Sequence, residues 1–173
     1  KNKDLAAKIR AYDELFHSID DNDIAENMAW KGVIKAAQTK FIKDEEGKFA
    51  ALSNVKISKK YLLAAIEKSR CVASGAALNT LGTIHYRVPP WPIGFGNNAK
   101  ARSYFEEALK CFPKNPDILW RRAELLVGEG EAEEALADLK KASKLLTKRA
   151  RPEDKYKKLD VEKLIVKIEN EQL

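Results

Sequence analysis

The chain has 173 residues, of which 45% are hydrophobic and 34% are charged, and its net charge at neutral pH is +6. Apolar residues are interleaved with charged ones, and no apolar run approaches the ~18 residues that span a bilayer. The composition therefore excludes a disordered polyelectrolyte and a membrane-spanning protein. The positive charge is typical of a solvated helical surface and also favours anionic partners or surfaces.

Apolar residues in the first 41 positions follow helical spacing. Leu5, Ile9, Tyr12, Phe16 and Ile19 recur at intervals of 4, 3, 4 and 3, which predicts an amphipathic helix that ends near Asp20. We expect the N-cap of a second helix among residues 20–23. The predicted inner face of that helix comprises Ile24, Met28, Val33, Ile34, Ala37 and Phe41. Residues 43–48, which contain Gly47, are predicted to form a loop.

The remainder of the chain also has the pattern of successive helices. A break at Ser74–Gly75 precedes a helix that ends at Arg87, because Pro89 and Pro90 cannot continue it. An unusual loop, Val88–Asn97, follows, and Asn98 is the predicted cap of the next helix. The other predicted helices are residues 53–70, 99–111, 117–127, 131–146 and a last one from Pro152. No segment has the pattern of a strand, so the predicted fold is all-α.

An internal repeat narrows this prediction. Ala101, Phe105 and Ala108 are matched 34 positions later by Ala135, Leu139 and Ala142, which is the period of the tetratricopeptide repeat. This spacing predicts a superhelix of antiparallel helix pairs, with a capping helix at the C-terminus. Ile57, Tyr61 and Ala64 have the same 4 and 3 intervals and predict a degenerate earlier copy of the second helix of a pair.

The repeat also locates an insertion. Gly82 and Ala101 are 19 positions apart where the pattern expects about 12, so the loop at residues 88–97 is inserted between the two helices of one repeat. We predict a single helical-repeat domain over residues 1–173. Its predicted parts are divergent helices at 1–52, repeats at 53–147 and the capping helix at 152–173.

The repeat pattern predicts which residues form a binding surface, because the first helix of each pair lines the concave face. The predicted residues of this face are Asn79, Thr83, Tyr86, Asp117, Trp120, Arg121 and Glu124. Trp91 and Phe95 of the inserted loop are predicted to belong to the binding surface as well, because large aromatic side chains dominate recognition surfaces. The loop is either a lid on its helix pair or a recognition element. In both cases we expect one of these aromatic residues to dock on the repeat core and the other to edge the groove near Trp120.

Catalytic and metal-binding patterns are not found in the sequence. The two histidines, His17 and His85, are predicted to be structural, and no cofactor or metal site is predicted. The late basic residues lack aromatic neighbours apart from Tyr156, so nucleic-acid binding is not favoured.

The two cysteines, Cys71 and Cys111, are predicted to be free, largely buried thiols. They lie near the ends of helices that pack about 8–10 Å apart, which is too far for easy disulfide formation. An oxidising compartment would favour the bond instead.

Five segments carry a narrower resemblance: Ala51–Lys56, Leu81–Tyr86, Val88–Gly96, Lys100–Ala101 and Glu107–Leu109. Together they resemble a bacterial exported family of tetratricopeptide proteins, the T component of TRAP transporters, over about residues 30–168. This resemblance implies a helical-repeat protein of the periplasm or cell envelope that assists a periplasmic solute-binding protein. The cytoplasm is the alternative location. The chain starts at Lys1 without a signal peptide, which indicates a mature exported form or a shortened chain.

The predicted function is therefore a non-enzymatic, protein-binding scaffold of the bacterial envelope, and an accessory of a TRAP-type solute transporter. A small-molecule carrier that encloses its ligand in the superhelix is the alternative. A hydrolase is a distant third, because the residues offer no nucleophile and base at a defensible spacing.

Overall fold

A computed structural model describes residues 3–22, 24–149 and 151–171, and within these residues it contains eight α-helices and no strand. The helices are α1 (Lys3–Ser18), α2 (Ala25–Glu46), α3 (Lys48–Lys68), α4 (Ala76–Arg87), α5 (Asn98–Cys111), α6 (Pro116–Gly128), α7 (Ala132–Arg149) and α8 (Pro152–Glu171). A short 3₁₀ turn at Ala73–Gly75 precedes α4. None of the described helices is long and apolar enough to cross a membrane.

Three predicted boundaries are wrong. Residues 43–48 are not a loop, because Gly47 alone, with φ of +93°, separates α2 from α3. The N-cap of α2 is Ile24, which has no side-chain acceptor, and Asn22 Oδ1 accepts a hydrogen bond from the Ile24 N–H at 3.2 Å instead. Asp23, another predicted N-cap candidate, lies outside the described residues. Asn97 rather than Asn98 caps α5, because its side chain accepts from the Lys100 N–H at 2.8 Å.

The helices form antiparallel pairs that stack side by side. α2 packs with α3, α4 with α5, and α6 with α7, while α1 covers α2 and α8 covers α7. α4 also contacts the first helix of each neighbouring pair, α2 and α6. The first helices therefore lie next to one another and form a common face.

Glycines on the first helices allow the close approach within two of the pairs. A Cβ at Gly82 in α4 would lie 2.7 Å from the ring of Phe105 in α5, which is fully buried. A Cβ at Gly32 in α2 would likewise lie 2.5 Å from the Leu62 side chain of α3. The pair formed by α2 and α3 therefore has the packing of the later repeat, with Leu62 in the role of Phe105.

This equivalence corrects the predicted register of α3 by one residue. The buried residues are Ser58, Leu62 and Ala65, all with 0% exposure, and not Ile57, Tyr61 and Ala64, of which Ile57 is 44% exposed. Ser58 takes the small-residue position and donates a hydrogen bond to the Gly32 carbonyl at 2.7 Å. Serine is close in size to the alanine that the pattern expects, and its buried hydroxyl is satisfied by this hydrogen bond to the backbone.

The prediction of free thiols is also wrong, because Cys71 and Cys111 form a disulfide with their Cα atoms 5.9 Å apart. Cys71 lies in the turn after α3, not on the helix, so the distance between packed helix axes does not apply to it. It is also exposed, whereas Cys111 is half-buried. The Cα separation is within the usual range for a disulfide.

The last helix, α8, packs its apolar side on the preceding pair. Val161 and Ile168 are buried in one cluster with Leu119 of α6 and Ala142 and Leu146 of α7. This covers an apolar edge that would otherwise face water, which is the role of a capping helix in a repeat stack. The division of the chain at residues 52, 147 and 152 stays a prediction.

Candidate functional site

The first helices of the pairs, together with α8, line a groove made of three adjoining depressions. The largest, about 570 Å³, lies between α2 and α4 and contains Asn79, Thr83 and Arg121. The second, about 520 Å³, lies among α4, α6 and α8 and contains Tyr86 and Glu124. The third, about 370 Å³, lies between Trp120 of α6 and the exposed side of α8. We call this surface the groove, and these six residues are the predicted site residues that line it.

Two arginines and one carboxylate link the depressions. Glu124 accepts from Arg87 Nη2 at 2.9 Å and from Arg121 Nη1 at 2.9 Å. The Arg121 guanidinium also lies 4.0 Å from the centre of the Trp120 ring. Trp120 is partly buried against Leu119 and its neighbours, so one part of its ring packs on the core while Arg121 lies over the ring. The ring and the two guanidinium groups are therefore held in place before any partner arrives.

The groove carries an excess of positive charge. Its lining includes one acidic residue from each of α6 and α8, Glu124 and Asp160. The cations that line it are Lys40, Lys43, Arg87, Arg121, Lys163 and Lys167. Such a surface attracts an acidic partner, most strongly at low ionic strength.

Several residues that line the groove were not among the predicted site residues. Lys40 and Lys43 come from α2, which was assigned to a divergent region, and Lys163, Leu164 and Lys167 come from the capping helix. The spacing of 163, 164 and 167 is a helical one, so this signal was available in the sequence. It could not be connected to the groove without the position of α8 beside α6.

Asp117 differs from the other predicted groove residues, because it joins helices. Its carboxylate accepts from Lys157 Nζ of α8 at 2.5 Å and from Arg149 Nη1 of α7 at 3.1 Å. Burial raises the pKa of Asp117, but the two cations outweigh burial and hold the pKa below its ordinary value. The structure thus places Asp117 in an ion-pair network at the base of α8, away from the three depressions.

The inserted loop is folded back on its helix pair. Asn97 N–H donates to the His85 carbonyl at 2.8 Å, and Gly96 N–H donates to the Pro89 carbonyl at 2.9 Å. At Gly94 and Gly96 the backbone approaches Val88 and Pro89 so closely that a Cβ would collide with their carbonyl oxygens. The glycines are therefore needed for this close approach.

The two aromatic residues of the loop have different environments. Phe95 packs on the core of the repeat, with its ring 5.3 Å from the His85 ring and under Lys59 Nζ at 4.2 Å. Trp91 is 84% exposed and does not line the depression around Trp120. The expectation that one aromatic residue docks on the core is confirmed for Phe95. The expectation that the other edges the groove near Trp120 is wrong, because the Trp91 side chain projects from the loop into solvent.

His85 lies beneath the loop and is 2% exposed. Its ring packs between Phe95 and Tyr104, and neither ring nitrogen has a hydrogen-bond partner among the described residues. Burial, with the positive charges of Lys59 and Lys100 nearby, lowers the pKa of His85 to about 4. A neutral, enclosed ring of this kind fills the core and does not present a base to a substrate.

Comparison with known proteins addresses the repeat directly. The family model of the tetratricopeptide repeat matches residues 93–154. This part of the chain is similar to the tetratricopeptide repeat. The match covers α5, α6 and α7 and reaches the first turn of α8, and the helix pairs described above extend the same architecture toward the N-terminus. The fold is all-α and of the tetratricopeptide helical-repeat type. No curated protein matches the chain.

Proposed function

We propose that this chain is a non-enzymatic scaffold that binds an acidic segment of a partner protein along the groove. Tetratricopeptide and other helical repeats present extended concave surfaces that serve protein recognition. The observation that carries the proposal is the groove itself, where Trp120, Arg121 and Arg87 are pre-ordered around Glu124. Aromatic and arginine side chains held in this way are typical centres of binding energy.

We further propose that the protein works in the bacterial cell envelope, as an accessory of a TRAP-type transporter that binds its periplasmic solute-binding protein. Two observations support this proposal. The disulfide between Cys71 and Cys111 is of a kind that persists in oxidising compartments and is rare in the cytosol. The loop Val88–Gly96 and the neighbouring helical segments resemble the exported family described above.

The groove can be tested by chemical crosslinking in an envelope extract, followed by identification of the captured protein and measurement of its affinity. Lys163→Gln with Lys167→Gln removes two groove charges on the exposed side of α8. We expect this double variant to bind the captured partner about tenfold more weakly at low salt, and the difference to shrink at high salt. Lys110→Gln with Lys114→Gln is the matched control, because both lysines are exposed and lie outside the groove.

Two results would contradict the proposal separately. Equal affinities of the groove double variant and the control would remove the groove from partner binding. A capture made only of cytosolic proteins would contradict the envelope assignment and would not bear on the role of the groove. Recovery of a solute-binding protein that depends on the groove charges would support both parts.

A further inference from the structure

A second cavity lies at the side of the molecule, between the α2–α3 hairpin and the inserted loop. Its volume is about 380 Å³, within the range of small-molecule sites. Leu52 and Val55 of α3 form one wall, and Val88, Pro89 and Ile93 of the loop form the other. We call it the side cleft. It adjoins the groove, with which it shares Thr39, Lys43, Val55, Arg87 and Val88.

Large apolar side chains stand exposed at the edge of the side cleft. Phe49, on the first turn of α3, is 87% exposed, and Ile93, on the loop, is 69% exposed. They come from separate elements and flank the same opening. Single exposed apolar residues are common, but two that converge on an apolar cavity mark a place where an apolar group can be buried.

The charged groups of the side cleft are all positive. Among the described residues, Lys43, Lys48 and Arg87 line it, and no carboxylate does. Arg87 is already paired with Glu124 at 2.9 Å. Lys43 and Lys48 take part in no ion pair with the described residues, so their ammonium groups are available to an anion. An apolar cavity with free cations at its rim matches a molecule with one apolar end and one negative end.

We propose that the side cleft binds a small amphipathic carboxylic acid. Its alkyl chain lies between α3 and the loop, and its carboxylate meets Lys43 and Lys48. A flat anionic membrane fits less well, because Asp44, Glu45 and Glu46 occupy the same hairpin tip and would face it. A small ligand contacts only the lining groups and avoids these three acidic residues. This site does not depend on partner binding in the groove.

The proposal can be tested by calorimetric titration of the full chain with octanoate and with 1-octanol, which has the same chain length without the charge. We expect octanoate to bind saturably at one site and 1-octanol to bind about tenfold more weakly. Lys43→Gln with Lys48→Gln should weaken octanoate binding about tenfold and leave 1-octanol binding unchanged. Lys110→Gln with Lys114→Gln, away from the side cleft, should change neither.

A second pair of substitutions tests the apolar part. Phe49→Ala with Ile93→Ala should weaken both ligands, and both side chains are exposed, so the fold is retained. The proposal is overturned if octanoate gives no saturable binding, if the two ligands bind equally, or if the Lys43 and Lys48 variant behaves as its control. It is also overturned if octanoate fails to bind while Phe49→Ala with Ile93→Ala abolishes sedimentation with phosphatidylglycerol vesicles, since the patch is then a membrane contact.

Discussion

The ring of His85 connects the inserted loop to the repeat that carries it. It is enclosed by Phe95 from the loop and by Tyr104 from α5, with no partner for either nitrogen among the described residues. A charged imidazolium in this place would lose its hydration and be repelled by Lys59 and Lys100, and the Phe95 backbone offsets this only in part. The packing of the loop on α4 therefore depends on a neutral ring.

Acidification should weaken the fold through His85. The pKa of His85 falls from 6.5 to about 4 on folding. The neutral ring therefore stabilises the fold fully above pH 6.5, and this stabilisation decreases as the pH drops toward 4. Between pH 7.5 and 5.0 we expect a loss of about 2 kcal/mol in the free energy of unfolding, measured with urea. His85→Phe should remove this part of the pH dependence, and His17→Phe, at an exposed histidine, should retain it. Equal pH profiles of the two variants would show that His85 does not carry the effect.

At the scale of the element, α8 is held by polar contacts as well as by its apolar side. Asp154, 2% exposed, accepts from Arg149 Nε at 2.7 Å and from the Arg151 N–H at 3.3 Å, which joins the end of α7 to the first turn of α8. Arg149 also reaches Asp117 of α6. The hydrogen bonds from Arg149 lower the pKa of Asp154 well below its ordinary value. Asp154 thus ties α8 to α7 directly and to Asp117 of α6 through Arg149.

Removal of this carboxylate should loosen α8 before the rest of the stack. Asp154→Asn removes the charge that the Arg149 and Arg151 guanidinium groups share and leaves Arg149 with Asp117, so we expect the variant to lose about 1–3 kcal/mol of stability at neutral pH. In the unsubstituted chain the stabilisation by the Asp154 carboxylate is present above about pH 4, the ordinary pKa of aspartate. It is lost as the pH falls below that value. Hydrogen exchange of residues 152–171 is the measurement. Glu153→Gln, at the exposed neighbouring position, is the control, and equal protection of α8 in both variants would contradict the prediction.

At the scale of the whole molecule, the disulfide joins two stacked repeats. Cys71 follows α3 and Cys111 ends α5, so the bond closes a segment with a sequence separation of 40 that contains α4, the inserted loop and α5. Each repeat in a stack is stabilised mainly by its neighbours. A covalent link between neighbours therefore limits how far one pair can separate from the next.

Reduction should destabilise the molecule without changing its fold. We expect a loss of about 2–4 kcal/mol and a lower Tm in circular dichroism, because the unfolded chain gains freedom when the link is removed. The intact mass without reductant should show the loss of two protons relative to the free thiols. Cys71→Ser with Cys111→Ser should melt near the reduced protein and be insensitive to reductant. An unchanged Tm on complete reduction would contradict the stabilising role.

The sequence by itself determined the all-α class, the later repeat and the inserted loop. Local signals specify these features: the 3.6-residue period of apolar residues, the breaks at Pro and Gly, and the recurrence of Ala101, Phe105 and Ala108 after 34 positions. The six groove residues on α4 and α6 were accessible for the same reason, since a residue's place in the repeat specifies its face of the helix.

Only the tertiary structure decided the features that depend on distance between separate elements. The role of Ser58 as a buried small residue depends on the Gly32 carbonyl, 26 positions away, which satisfies its hydroxyl. The disulfide depends on the turn that brings Cys71 within 5.9 Å of Cys111, and the charge of the groove depends on where α8 lies. Phe95 packs inward and Trp91 does not, because the loop backbone is held by hydrogen bonds to α4 and to itself. Composition and periodicity describe each element alone, whereas these contacts arise from the packing of one element on another.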